Sequence, residues 1–189
     1  MTTFSVTKDG KVLDPSLYTW DENTKTFSTD ENRLVLDFTG IAGVIFNTGS
    51  CCTFNTSSNC TFKTSSDCTF LTSHYCTFKT GSSCTFNTDS YCTFNTDSYC
   101  VFITGYSCAF NTGSHCAFNT GSNCTFEVGD NCSLIRSDVK GVTEIPTGKK
   151  IKLNDYGISG YTIIEEKKKT PSCDGKVIEI DGKKYKLIE

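Results

Sequence analysis

From residue 36 to residue 139 the chain contains no proline. Proline lacks the backbone N–H that a sheet ladder needs, so so long a stretch without it fits a backbone engaged in β pairing throughout. No apolar run approaches membrane-spanning length. The opening MTTFSVTKDG has none of the basic-then-apolar character of a secretion signal. Both absences point to an unsecreted, cytoplasmic protein with no membrane partner.

Positive charge is also scarce where it would matter. Residues 36–139 carry Lys63, Lys79 and Arg136 against Asp37, Asp67, Asp89, Asp97, Glu127, Asp130 and Asp138, a net charge of −4. A phosphate backbone needs the opposite sign, which excludes nucleic acid as a partner of this segment. Only two histidines occur, His74 and His115, and no Ser-His-Asp grouping, buried carboxylate pair or phosphate loop can be assigned. The expectation is a non-enzyme without cofactor.

Cysteine is abundant, yet its spacing is wrong for zinc. Structural zinc wants C-x2-4-C pairs, whereas here seven residues separate each cysteine from the next, with no histidine at matching places. No metal is expected. With no secretion signal, the thiols read as reduced, small core residues; the rival arrangement is a run of disulfides across the coil.

What the sequence does contain is one eight-residue unit written repeatedly: CTFNTSSN, CTFKTSSD, CTFLTSHY, CTFKTGSS, CTFNTDSY. With LDFTGIAG and VIFNTGSC counted at one end and CSLIRSDV at the other, thirteen units span residues 36–139. Slot one is Cys52, Cys60, Cys68, Cys76, Cys84, Cys92, Cys100, Cys108, Cys116, Cys124 and Cys132, preceded by Leu36 and Val44. Slot three is Phe54, Phe62, Phe70, Phe78, Phe86, Phe94, Phe102, Phe110, Phe118 and Phe126, preceded by Phe38 and Phe46 and followed by Leu134.

Residues two apart on an extended chain share a face, so Cys and Phe point inward while slots two and four point outward. Slots five to eight have turn composition. Gly81, Gly105, Gly113, Gly121 and Gly129 in slot six read as positions of positive φ, with Asp89 and Asp97 tolerated there. Eight residues cannot enclose phenyl rings, but sixteen can. The fold predicted is therefore all-β: a two-sheet parallel β-solenoid with sixteen residues per coil, Phe and Cys ladders in its core and β-rich caps at both ends. The N-terminal cap covers residues 1–35, with a hairpin at Asp9-Gly10 and Trp20 in its core, and the solenoid covers 36–139. The C-terminal cap covers 140–189, with a strand-turn-strand in IKLNDYGISGYTIIEE, an exposed loop at KKKTPSCDG and a hairpin around Asp181-Gly182.

The array, clearest in CTFNTDSYCTFNTDSY, resembles uncharacterised octapeptide-repeat β-solenoid proteins of phages and large DNA viruses. The resemblance implies a solenoid and a viral origin, placing the protein in host-cell cytoplasm or a virion. It brings no active site.

Separating alternate units gives two unlike outer sides. One shows Thr53/Asn55, Thr69/Leu71, Thr85/Asn87, Val101/Ile103, Ala117/Asn119 and Ser133/Ile135, without charge; the other carries Lys63, Lys79 and Glu127. Leu71, Val101, Ile103 and Ile135 form a candidate contact face, expected to support a homodimer or to meet another protein. The function expected is a structural or interaction rod. The alternative is an ice-binding solenoid using Thr53, Thr69 and Thr85 on one sheet or Thr61, Thr77 and Thr93 on the other, against which slot four speaks by holding Asn, Lys, Leu, Ile and Glu.

Overall fold

The computed structural model describes residues 4–165 and the strands Val177–Ile180 and Lys183–Lys186. Every unit behaves as a short strand followed by a corner, and consecutive units alternate between two sheets of ten strands each. In the first sheet, Leu34–Phe38, Thr53–Thr56, Thr69–Leu71, Thr85–Asn87, Val101–Ile103, Ala117–Thr120 and Ser133–Arg136 are parallel. In the second, Thr26–Ser28, Ile45–Asn47, Thr61–Lys63, Thr77–Thr80, Thr93–Thr96, Ala109–Thr112 and Thr125–Val128 are parallel. The pairing of Phe78 with Phe94 and of Phe86 with Phe102 sets the coil at sixteen residues. This is the two-sheet parallel β-solenoid expected from the repeat, on the order of 30 Å long at ~4.8 Å per coil.

Phenylalanine forms the core in two interlocked columns. Within a sheet the rings lie nearly parallel, as for Phe86 and Phe102 at 4.8 Å and 2°. Across the core they meet edge to face, as for Phe86 and Phe94 at 5.2 Å and 74°. Both geometries suit the ring quadrupole, so the coil spacing and the aromatic packing reinforce one another.

Cysteine lines the corners. From Cys68 to Cys132 each thiol reaches the carbonyl two residues before it and a second carbonyl nineteen residues back, as Cys84 does with Ser82 O at 3.5 Å and Ser65 O at 3.7 Å. Cys52 through Cys124 are buried free thiols, and Cys132, ending its column, is partly exposed. Among the described residues no disulfide joins these cysteines across the coil.

A third inward column was not visible in the repeat. Slot-five threonines end the strands Thr53–Thr56, Thr77–Thr80, Thr93–Thr96, Ala109–Thr112 and Ala117–Thr120; Thr56, Thr80, Thr88, Thr96, Thr112 and Thr120 are buried. Their hydroxyls donate to the next residue's carbonyl, as Thr88 Oγ1 does to Asp89 O at 3.3 Å, which satisfies a polar atom that burial would otherwise penalise.

The turn chemistry also differs from expectation. The left-handed position is slot eight, occupied without glycine by Cys51, Asn59, Asp67, Tyr75, Ser83, Tyr91, Tyr99, Ser107, His115, Asn123 and Asn131, with φ from 56° to 63°. This conformation lets the slot-eight N–H donate to the next coil, as Tyr75 N does to Ser90 O at 3.2 Å. Glycine in slot six answers a different need. A Cβ on Gly113 would overlap Ser98 Oγ and lie 2.8 Å from Ser98 N. That hydroxyl instead accepts from Ser114 N at 2.9 Å, so glycine there makes room for a bond between coils.

At the first units the register is corrected. Leu36 pairs with Phe54, so it takes the slot of Phe, while Leu34 takes that of Cys and Phe38 pairs with Thr56 in slot five. Leu34, Leu36 and Phe38 all point inward, and a two-residue alternation cannot say which of them starts the unit. The corner that follows is two residues longer than elsewhere and tucks Ile41 inside, 5% exposed. The parallel ladder also reaches back to Phe27, which pairs with Phe46.

Antiparallel strands finish both ends. Ser5–Lys8 covers Leu34–Phe38 and turns through Asp9 and Gly10, both at positive φ, into Lys11–Val12. Thr19–Asp21 covers Thr26–Ser28. Phe4 stacks on Phe38 at 4.3 Å and Trp20 packs 5.2 Å from Phe4, so this end is lidded by aromatic rings. At the other end Val142–Glu144 and Ile151–Leu153 cover the last coil, and Tyr161–Ile163 pairs with the latter. The hairpin around Asp181-Gly182 is present as Val177–Ile180 against Lys183–Lys186; the KKKTPSCDG loop lies outside the described residues.

Candidate interaction surface

The outer side of the first sheet is built by slots two and four. Slot four forms the in-register column Asn55, Leu71, Asn87, Ile103, Asn119 and Ile135. Slot two forms Thr53, Thr69, Thr85, Val101, Ala117 and Ser133. Leu71, Val101, Ile103 and Ile135 are 50%, 42%, 47% and 52% exposed. Leu71, Ile103 and Ile135 thus recur every second coil with an asparagine between them, and Val101 stands beside Ile103 on its own strand. The structure adds two apolar residues that the repeat did not reveal. Val35 and Val142 project from strands beyond the Cys units, at opposite ends of the same side. Asp37, opposite Asn55, and Glu144, opposite Ser133, bound the uncharged stretch.

The second sheet presents a different outer side. Lys63 and Lys79 stand directly opposite one another in the ladder, with Asn95, Asn111 and Glu127 following in the same column. Like charges in register repel by a few tenths of a kcal/mol, which water screens. The threonine rows are interrupted on both sides: Thr85 is followed by Val101 and Ala117, and Thr93 by Ala109.

Aromatic residues collect on the two corners. Tyr75 and Tyr91 stack at 5.0 Å, and Tyr106 meets Tyr91 edge-on at 5.2 Å. On the opposite corner Tyr99 stacks on His115 at 5.0 Å, and Asn131 Nδ2 lies 3.3 Å from His115 Nε2. Left-handed tyrosine is costly for the backbone by ~1–2 kcal/mol, and stacking with the coil above offsets part of that. His74 lies in its turn beside Ser73 Oγ at 3.0 Å and Asp89 at 3.9 Å.

Most of the ladder thiols are held toward the protonated form, Cys52 and Cys124 excepted. Contact with Cys124 and burial push Cys108 up to about 12, and contact with Cys108 pushes Cys92 up to about 11. Cys60, Cys68, Cys76, Cys84, Cys100 and Cys116 are raised as well, while Cys52 falls to about 7 because the Cys68 thiol donates to it. Among the described residues no three of His, Cys, Asp or Glu converge to hold a metal ion, and no helix is long and apolar enough to cross a membrane.

One buried ion pair closes the last coil. Arg136 takes slot five, where threonine stands in most units, and is 2% exposed. Its Nε and Nη2 donate to Asp138 at 3.0 and 2.5 Å, and Nη1 donates to Ile158 O at 2.7 Å. Gly157 N donates to the same carboxylate at 2.9 Å. Burial pushes the Asp138 carboxyl up, but the Arg136 guanidinium and the Gly157 N–H together hold it below the usual carboxylate range. The pair pins the Asp155–Ile158 loop over the end of the core, a role the sequence alone did not disclose. Compared with protein-family models, with curated proteins and with solved structures, the chain matches none.

Proposed function

We propose that the protein is a non-catalytic, rigid rod that associates laterally with a second copy of itself through the uncharged side of the first sheet. The observation that carries this reading is the period of that side: Leu71, Ile103 and Ile135 are exposed on alternate coils, with Asn87 and Asn119 between. An identical surface repeats at the same ~9.6 Å interval, two coils of ~4.8 Å. Two copies offset by one coil therefore seat the branched side chains of each over the asparagines of the other. Such a contact is self-complementary and closes as a two-fold dimer. A role as a structural part of a virion accords with a stiff spacer of this kind.

Ile103→Lys places a charge in the middle of the contact while leaving the core untouched, because slot four faces outward. Sedimentation velocity across a concentration series should show a dimer for the unmodified chain and a monomer for the variant, with equal monomer melting temperatures. A chain that stays monomeric at high concentration would refute the contact. Strong ice-recrystallisation inhibition at micromolar protein would instead assign the function to the threonine rows.

A further inference from the structure

The two ends of the rod are finished unequally. At the N-terminal end Val6 and Leu13 are 4% and 5% exposed, and the Phe4, Tyr18 and Trp20 rings pack against the core. At the C-terminal end the last strand of the second sheet is Tyr161–Ile163, and among the described residues no strand pairs with its outer edge. Ile163 lies opposite the fully buried Ile151 and so projects to the core side, yet it is 46% exposed. Tyr156, Ile158 and Ile164 nearby are 80%, 57% and 37% exposed.

The backbone of that strand is open as well. Ile164 N donates to Lys150 O at 2.8 Å and Asn154 N donates to Gly160 O at 3.2 Å. In an antiparallel ladder the bonded pairs alternate, so the N–H and C=O of Tyr161 and Ile163 point away from Ile151–Leu153, toward the open edge. An edge of this kind, beside uncovered apolar side chains, is a template for another strand.

We infer that the C-terminal hairpin of the same chain, Val177–Ile180 with Lys183–Lys186, closes this end by adding to the open edge of Tyr161–Ile163. The hairpin is a two-stranded sheet separate from the other two, and two strands alone are marginally stable in water. Its register sets Ile178 opposite Tyr185. Strand alternation places Ile178, Ile180, Lys183 and Tyr185 on one face and Val177, Glu179, Lys184 and Lys186 on the other. The first face is the more apolar of the two.

The tether selects this occupant over a second molecule. Eleven residues, 166–176, separate the hairpin from the described end of the rod, a reach of up to ~36–40 Å when extended. A strand so tied is present at an effective concentration in the millimolar range. Docked, the hairpin acts as a stopper that keeps the rod from growing end to end.

The test is amide hydrogen exchange on the full chain, with and without Ile178→Lys and Ile180→Lys together. The amides of Tyr161 and Ile163 should be protected in the unmodified protein and lose about tenfold or more of that protection in the variant. Those of Thr93–Thr96 in the middle of the rod should be unchanged, which shows that the rod itself has stayed folded. The variant should also form larger species as its concentration rises. Unprotected Tyr161 and Ile163 in the unmodified chain, or protection equal in both proteins, would overturn the inference. Protection that appears only at concentrations where the unmodified protein associates would assign the edge to a second copy, and overturns it equally.

Discussion

Replacing Phe94 by alanine removes an interior ring of its column. The ring is 1% exposed and lies between Phe78 and Phe110, each at 4.9 Å and within 4° of parallel. It also meets Phe86 and Phe102 edge to face, both at 5.2 Å. Four aromatic pairs disappear together, at ~0.5–1.5 kcal/mol each beyond the area lost. Phe→Ala in a core costs ~3–5 kcal/mol, and the spread depends on how well the site collapses. Collapse is restricted here. The strands above and below are held by Thr93 N to Cys76 O and Ala109 N to Cys92 O, both at 2.9 Å, so the coils cannot close on the void. The upper half of the range is expected. For a chain of this size that lowers the melting temperature by roughly 8–20 °C, at ~2–4 °C per kcal/mol. Phe94→Leu should cost much less, because Leu134 fills the equivalent slot opposite Phe118. Calorimetry of the three proteins decides the matter. A fall of under ~2 °C for the alanine variant, equivalent to less than ~1 kcal/mol, would show that the ring does not fill the core.

Freshly prepared native protein should react with iodoacetamide at Cys51, the exposed thiol, well before Cys52 through Cys124. After denaturation without reductant every thiol should be modified, as counted by mass; blocked pairs would mean disulfides. The raised thiols favour the protonated, folded state, so their stabilisation is complete below the unfolded thiol range near ~8.5 and fades as pH climbs toward 11. Denaturant midpoints measured under reducing conditions should therefore fall steadily above about pH 9. Asp138 has the opposite sign: its lowered value stabilises the fold above the unfolded carboxyl near ~3.9, and that contribution is lost only as pH drops further. Asp138→Asn leaves Arg136 buried and uncompensated, which should cost ~3–5 kcal/mol at neutral pH by urea unfolding. Gly81→Ala should cost ~1–3 kcal/mol, because the new Cβ overlaps Ser66 Oγ and comes within 3.1 Å of Ser66 N; adding Ser66→Ala should restore part of that in the same melting assay.

The architecture was legible because the inward residues are large, few in kind and strictly periodic. A Phe every eight residues, with Cys two before it, leaves one face to bury and one coil length that buries it. The outward identity of Leu71, Val101, Ile103 and Ile135 followed from the same alternation. Val35 and Val142 escaped notice because neither lies in a Cys unit, and only strand pairing brings them to that side.

What the chain determines by itself is thus the period, the inward set and the two unlike sides, since these follow from side-chain alternation and the volume of a phenyl ring. Tertiary structure decided the rest. Whether Leu34, Leu36 or Phe38 fills the Phe slot depends on the length of the corner after them, which the alternation cannot measure. Slot six takes glycine because of Ser98 and its counterparts, which lie a coil away in sequence but in contact across coils. Arg136 becomes a core residue only where Asp138 and the carbonyls of Asp155 and Ile158 converge on it. Each is settled by a neighbour brought close through coiling, and no local pattern of residues encodes a distance across the stack.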